Sequence, residues 1–223
     1  MKKILMTAAL AFGLVGGAAS AATVGGNFTM DIVNVEYMDS GDSQAKMSNY
    51  NTAWSGGFGP ALTSTGSYNG LLDFRVGAPQ TATYSVREFI KTGSYTSFSG
   101  VTATLDAQLS YPNINNGSAT TTFFLFTLAN FGAGDFTVTH DDGFAIFDDG
   151  VRIGGRLGPV GETTTMVSGF NGGELSLLYV ATNGNPSIFE VSFAPVPVPA
   201  SLPLLLGALG GAGFLARRRK KAA

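Results

Sequence analysis

Cysteine is absent from this 223-residue sequence, and histidine and tryptophan occur only once each. Without cysteine the chain has no disulfide, no thiol nucleophile and no metal site built on cysteine. The single histidine, His140, excludes a histidine-rich metal centre. The folded part must therefore hold itself together through its apolar core.

Basic residues are scarce between the two ends of the chain. Residues 23–195 contain all fifteen acidic residues but only six of the thirteen basic ones, so this body has a net charge of −9. Binding to a phosphate backbone needs the opposite sign, which excludes nucleic acid as a partner. The length of the body fits one domain with one sizeable core.

The N-terminus has the layout of a secretory signal peptide. Lys2 and Lys3 are followed by an apolar run over residues 4–17 and by small residues over 18–22. This order predicts a signal helix over residues 1–21 that signal peptidase removes. We therefore expect the body to be exported.

The C-terminus combines a Pro-rich hinge, a short apolar run and a basic end. The apolar run, Leu202–Ala216, is followed by five consecutive basic residues, 217–221. As a helix it would span roughly 22 Å, which is short for a bilayer core of about 30 Å. Positive charge at both ends predicts that the body crosses the membrane. The tail is therefore either a short anchor or a temporary one.

This tail resembles the PEP-CTERM sorting signals of Gram-negative bacteria, in the variety named for Val-Pro-Leu-Pro-Ala. The match covers residues 196–223, and its motif is Val196, Pro197, Val198, Pro199 and Ala200. The resemblance implies anchoring in the inner membrane through a C-terminal hydrophobic helix. An exosortase-type transpeptidase would then process the tail and leave the protein at the cell surface or in the extracellular matrix.

Residues 22–195 have the sequence pattern of an all-β domain. Apolar and polar residues alternate over 28–32 and 101–109, and further apolar or β-branched runs begin at 120, 136, 144, 175 and 188. Asn-Gly and Asp-Gly turn signals separate several of them. This spacing predicts an antiparallel β-sandwich or barrel. Residues 41–70 have weaker periodicity, and we interpret them as a long loop or an irregular edge.

The densest group of polar residues follows the predicted strand that ends at His140. Asp141 and Asp142 are adjacent and precede a glycine, so a sharp turn can bring both carboxylates to one cation. Oxygen ligands of this kind suit Ca²⁺. The alternative is that the carboxylates cap backbone N–H groups of the turn. Asp149-Gly150 predicts a type I′ hairpin turn, and we interpret His140 as structural.

Residues 121–193 resemble the PA14-type β-sandwich (a jelly-roll or barrel), on two segments. These are Phe136–Gly150, with its two Asp-Asp-Gly turns, and Gly173–Phe193, with a late pair of strands. In sugar-binding members of that family, an Asp pair joined by a cis peptide and a later loop Asn hold a Ca²⁺ that bridges to sugar hydroxyls. The resemblance implies Asp141, Asp142 and Asn183 as the corresponding metal ligands.

Together these features predict a non-catalytic protein of the cell surface or biofilm matrix that binds extracellular glycan. Two alternatives remain: a structural matrix protein that binds no ligand, and a hydrolase of extracellular polysaccharide. No nucleophile motif is present, and no second acid is marked as a partner for glycoside cleavage. The aromatic residues Tyr50, Trp54 and Tyr68 either stack on a sugar or, as we expect, fill the core or cover an edge.

Overall fold

Antiparallel strands form almost all of the regular structure. A computed structural model describes residues 20–36, 38–77, 84–105, 109, 120–182, 185–196 and 209. Within these residues twelve strands form two sheets, and all pairings between strands are antiparallel. The prediction of an all-β antiparallel domain is therefore confirmed. The predicted signal helix over 1–21 and the C-terminal helix lie almost entirely outside the described residues and stay predictions.

The two sheets have seven and five strands. In chain order, the seven-stranded sheet consists of β2 (Gly25–Glu36), β3 (Ala61–Leu71), β5 (Tyr95–Ser99), β6 (Thr120–Phe131), β8 (Gly143–Asp148), β9 (Val151–Gly154) and β11 (Gly173–Ala181). Its spatial order is β5-β3-β2-β6-β11-β8-β9. The five-stranded sheet consists of β1 (Ala22–Thr23), β4 (Asp73–Val76), β7 (Gly134–His140), β10 (Thr163–Phe170) and β12 (Ser187–Pro195). It runs β1-β12-β7-β10, with β4 paired to β12.

The main core lies between the two sheets and is rich in phenylalanine. On β2, Phe28, Met30 and Ile32 point into this core, as their alternation with polar residues predicts. Phe126 of β6 is fully buried and contacts five other aromatic rings. Burial of each such ring contributes roughly 2–3 kcal/mol through the hydrophobic effect. Residues Ser20–Pro195 form one compact unit around this core.

A second apolar cluster lies on the outer face of the seven-stranded sheet. The helix α1 (Met47–Trp54) packs Tyr50 and Ala53 against Val33 and Phe123 of that face. The interpretation of residues 41–70 as a long loop is wrong, because they form α1 and most of β3. The helix is short and buries only two side chains, so tertiary packing rather than helix propensity stabilises it.

One other local prediction differs from the structure, and one helix was not predicted. The alternating run over residues 101–109 was predicted as a strand, but its described part contains a 3₁₀ turn, Ala103–Leu105. Leu105 and Leu109 still enter the main core, which explains the apolar spacing. The helix α2 (Val86–Thr92) begins with a capping box in which Ser85 and Glu88 bond to each other's backbone N–H.

No helix in the described part of the chain is long and apolar enough to cross a bilayer.

Candidate functional site

The Asp141-Asp142 pair connects one sheet to the other. Strand β7 of the five-stranded sheet ends at His140, and β8 of the seven-stranded sheet begins at Gly143. Only two residues make this crossing, and Asp142 has a left-handed backbone with a φ of 68°. A side chain at Gly143 would collide with the carbonyl oxygen of Leu157. The loop above the turn therefore requires glycine at position 143, and the left-handed φ at position 142 suits Asp, Asn or Gly.

The peptide bond between the two aspartates is trans in this structure. The cis peptide bond in the described residues joins Asn185 and Pro186. The cis linkage of the Asp pair that the family resemblance implied is therefore wrong here. The backbone reverses at this point through the left-handed φ of Asp142.

The N–H groups of the turn do not depend on the carboxylates. Asp141 donates its backbone N–H to the Ile188 carbonyl at 3.0 Å, and Asp142 donates to the Val160 carbonyl at 2.7 Å. The simple alternative, in which the aspartates cap their own turn, is therefore not what the structure shows. Both carboxylates are directed to neighbouring segments instead.

One of those segments donates a hydrogen bond to the pair: Asp142 Oδ2 accepts the backbone N–H of Thr182 at 2.7 Å. The backbone amide of Glu162 lies near the carboxylate of Asp141 and opposes part of the rise in its pKa. Glu162 ends a covering loop, residues 155–162, which also receives hydrogen bonds from Ala45 and Phe144. The loop leaves Asp141 and Asp142 only 7% and 3% exposed.

Burial makes both carboxylates reluctant to ionise. It raises the pKa of Asp141 to about 6, with a further contribution from the charge of Glu162. It raises the pKa of Asp142 well above the usual range, and the charge of Asp141 adds to this effect. The ion pairs found within the described residues both belong to Arg75, which binds Glu162 and Glu190. Neither aspartate takes part in these ion pairs, and the Thr182 N–H offsets only part of the cost of burying Asp142.

The histidine beside the pair is locked into the structure. His140 is fully buried, and its Nδ1 lies 2.8 Å from the Asp142 carbonyl oxygen. A carbonyl can only accept, so Nδ1 carries the proton, and Nε2 accepts from the Thr165 hydroxyl at 2.9 Å. Burial lowers the pKa of His140. The imidazole contacts the carbonyl of Asp142 rather than a carboxylate, so it forms no His–carboxylate pair, and the structural interpretation of His140 is supported.

Two buried hydroxyls near the pair were missed by the sequence analysis. The Tyr179 hydroxyl lies beside Ser187 and Ile188, at the margin of hydrogen-bonding geometry, and neither it nor the Ser187 hydroxyl forms a well-directed bond. Burial raises the pKa of Tyr179 well above its usual range, and the charges of Asp142 and Asp141 add to the shift. Tyr179 and Ser187 lie in apolar runs that the sequence marks only as strand.

Of the remaining predicted site residues, only Val196 lies within the described part of the chain. Asn183 lies outside the described residues, as do Pro197, Val198, Pro199 and Ala200 of the sorting motif. Val196 is described and is 59% exposed directly after β12.

The second Asp-Gly turn has the predicted conformation. Asp149 and Gly150 both have positive φ, 47° and 78°, as a type I′ hairpin requires. Of the three aromatic residues considered for sugar stacking, Tyr68 and Tyr50 are buried, and only Trp54 is partly exposed. The expectation that these side chains fill the core is met for Tyr50 and Tyr68, whereas Trp54 is 36% exposed and contacts Tyr50.

The described residues contain no group of three or more acidic or histidine side chains arranged around one possible metal position. Ca²⁺ takes six to eight oxygen ligands. Asp141 and Asp142 would supply two carboxylates, and backbone carbonyls, a side-chain amide and water would have to supply the rest.

No family model matches this sequence, and no curated protein sequence matches it. Solved structures similar to the chain include the PA14 sugar-binding domain from an RTX adhesin, with 15% identity and a TM-score of 0.41 over 74% of this chain and 88% of that one. Another is the PA14 domain of the antifreeze protein MpAFP, with 12% identity and a TM-score of 0.40 over 81% and 88%.

A third similar structure is a GH31 alpha-xylosidase from Xanthomonas citri, with 10% identity and a TM-score of 0.25. It is matched over 63% of this chain and 19% of the xylosidase. Identities and scores at this level are low, so the proposals below rest on the residues of this chain.

Proposed function

We propose that this chain is an exported, non-catalytic protein of the cell surface or biofilm matrix. Its β-sandwich would bind an extracellular glycan with the help of a Ca²⁺ ion held by Asp141 and Asp142. The observation that carries this proposal is the burial of two adjacent carboxylates, 7% and 3% exposed, at the crossing between the sheets.

The electrostatics of the pair support a cation there. A buried carboxylate is normally paired with a cation or stays protonated, because desolvation of the charge is costly. The pKa values of both aspartates are raised, so without a cation they hold protons more tightly than free carboxyl groups do. A hard divalent cation bound by oxygen atoms is the partner that suits this charge. When bound, it would supply open coordination positions for sugar hydroxyls.

The export part of the proposal rests on the two ends of the sequence. Signal peptidase would remove residues 1–21, and an exosortase-type transpeptidase in the inner membrane would act on the tail. The last strand ends at Pro195, and Val196, the first residue of the sorting motif, is exposed immediately after it. The predicted sorting motif therefore begins directly after the last strand of the sandwich.

A structural role without a ligand is the second candidate. Asp142 accepts the N–H of Thr182 at 2.7 Å, and the carboxylate of Asp141 lies near the backbone amide of Glu162. The pair can thus hold neighbouring segments in place, and this function needs no cation. The two candidates differ in whether Ca²⁺ binds.

Calorimetric titration of the full-length chain with Ca²⁺ separates them, with a melting curve recorded in Ca²⁺ and in EDTA. We expect heat of binding and a higher melting temperature at millimolar Ca²⁺, both lost in Asp141→Asn and Asp142→Asn. The matched control is Asp149→Asn, an isosteric change in the exposed Asp-Gly turn of the next hairpin. Absence of both signals in the unmodified protein would contradict the Ca²⁺ proposal and leave the structural role.

Glycan binding needs its own measurement. The protein is screened against a panel of oligosaccharides in Ca²⁺ and in EDTA, and release of shortened products is monitored in the same samples. Binding that needs Ca²⁺ and both aspartates supports the proposal. If the activity that releases shortened products co-purifies with the protein, the protein is instead a polysaccharide hydrolase.

A further inference from the structure

A groove of about 680 Å³ lies at the edge of the seven-stranded sheet. It is formed where the beginnings of β2 and β5 meet the end of β3, and Thr23 of β1 completes its wall. Pockets that hold small ligands usually have volumes of roughly 300–1,000 Å³. The groove is shallow and open to solvent, so a ligand would rest on it rather than be enclosed.

Glycines form the floor of the groove. Gly26 of β2 pairs with Gly70 of β3, and Gly25 pairs with Leu71. A Cβ at Gly70 would lie 2.5 Å from the Ser94 carbonyl oxygen, so glycine is needed for β5 to begin this close to β3. The same absence of side chains leaves only a narrow shelf, because Leu71, Leu128 and Tyr95 pack over these glycines.

One aromatic ring stands beside this shelf. Tyr95 is 37% exposed, and its ring is held by an edge contact with Phe98 at a centroid distance of 5.2 Å. The buried ring of Tyr68 lies on its other side at 6.3 Å. A tyrosine held in this way presents a flat apolar surface and a polar tip at little conformational cost. The apolar C–H face of a sugar ring fits such a surface.

The polar groups of the groove are neutral. Its side chains include the hydroxyls of Thr23, Ser94 and Thr96 and the amide of Asn69, and none of the lining residues is charged. Hydroxyls and an amide are suitable hydrogen-bonding partners for sugar hydroxyls. A body with a net charge of −9 also repels anionic chains.

We propose that this groove is a binding site for a neutral glycan chain, independent of Ca²⁺ and separate from the Asp141-Asp142 pair. The two sites lie at opposite ends of the sandwich. The groove lies at Gly25, where β2 begins. Asn34, near the other end of β2, pairs with Thr122 of β6. Thr122 in turn pairs with Ala181 of β11, which lies beside the Asp pair. Nine strand residues separate Gly25 from Asn34, which corresponds to about 30 Å. A protein with both sites could crosslink two glycan chains.

The test uses the full-length chain in EDTA, so that no Ca²⁺ is bound at the Asp pair. The probes are cellotetraose, maltotetraose and mannotetraose as neutral chains and tetragalacturonic acid as an anionic one, with affinity measured by calorimetry. We expect at least one neutral probe to bind and the anionic probe not to bind. Tyr95→Ala should weaken binding at least about tenfold, while Tyr95→Phe, which keeps the ring, should stay within about threefold.

Two further variants control for indirect effects. Ser94→Arg adds a long side chain to the groove without removing a packed group and should also abolish binding. Trp54→Ala removes an aromatic ring of similar exposure, 36%, from the helix on the outer face of the sheet, and should leave the affinity unchanged. Melting temperatures of all variants identify any that do not fold.

The outcomes distinguish this site from the proposed Ca²⁺ site. Neutral-glycan binding in EDTA that survives Asp141→Asn but is lost in Tyr95→Ala and Ser94→Arg supports the groove even if no Ca²⁺ binds. The groove proposal is overturned if none of the three neutral probes binds. It is also overturned if a neutral probe binds equally well to the unmodified protein, to Tyr95→Ala and to Ser94→Arg. Binding of an extended peptide in place of every sugar probe would also overturn it and would identify the groove as a strand-pairing site along β5.

Discussion

Replacement of Asp141 by asparagine should stabilise the Ca²⁺-free protein near neutral pH. Burial and the nearby charge of Glu162 raise the pKa of Asp141 to about 6, from an ordinary value of 3.8. The folded state therefore holds this proton more tightly than the unfolded state does. As pH rises through the window between about 4 and 6, the unfolded state loses its proton first, so the free energy of unfolding falls with pH. Asparagine, which does not ionise, avoids this loss.

The size of the effect follows from the pKa difference. A difference of about two pH units corresponds to about 3 kcal/mol if none of it is screened. Asp141 lies at the edge of the sandwich, where solvent screens part of this, so we expect about 1–2 kcal/mol at pH 7.5. For a domain of this size that raises the melting temperature by roughly 3–6 °C. By pH 4 most of the gain should be gone, because the wild-type carboxyl is then protonated when folded.

The assay is urea denaturation of both proteins in EDTA at several pH values between 4 and 7.5. Asp149→Asn keeps a side-chain oxygen that can accept the Glu174 N–H, which the carboxylate now accepts at 2.8 Å, so it should change the free energy of unfolding by less than about 1 kcal/mol. A less stable Asp141→Asn protein at pH 7.5 would refute the reasoning, because it would mean that the ionised carboxylate gains more from its contacts than burial costs. Addition of millimolar Ca²⁺ should reverse the order, since only the wild type has both carboxylates for the ion.

Three other predictions concern the core, the histidine and the ends of the chain. Phe126→Ala should reduce the free energy of unfolding by about 3–5 kcal/mol in urea denaturation, because it opens a cavity among five rings; a loss below about 1 kcal/mol would contradict this packing. His140→Phe should cost about 2–3 kcal/mol at pH 7.5, since it leaves the buried Asp142 carbonyl without its donor; an unchanged melting temperature would show that the bond is not formed. Intact-mass spectrometry of protein from native cells should show that residues 1–21 and all or part of 196–223 are absent, and a full-length mass would contradict both processing predictions.

Strands with one face in the core were predictable, and those with little buried surface were not. Phe28, Met30 and Ile32 alternate with polar residues because only every second side chain of a strand meets the core. Strand β3 is almost as long as β2, but Ser64 and Tyr68 are its only buried residues. Its sequence therefore shows almost no alternation of apolar and polar residues. The same holds for α1, which buries two side chains on the outer face of the sheet.

The Asp pair was found from its local pattern, whereas its surroundings could not be. Two acids and a glycine after a strand indicate a sharp polar turn without any knowledge of the rest of the fold. The groups that decide their chemistry come from far along the chain: Glu162 with the covering loop, and the N–H of Thr182. No local pattern links these residues to Asp141.

Composition and short-range order by themselves determined an acidic, cysteine-free, all-β body, a polar turn at Asp141-Asp142, and ends predicted to direct export. These properties depend on residue counts and on neighbours within a few positions, which a sequence displays directly. Only the tertiary structure decided that the turn crosses between the sheets, that both carboxylates are buried under the loop over residues 155–162, and that three glycines and Tyr95 form a neutral groove at the other end. Burial and pKa depend on which distant segments pack together, and that is set by the pairing of strands across the whole domain.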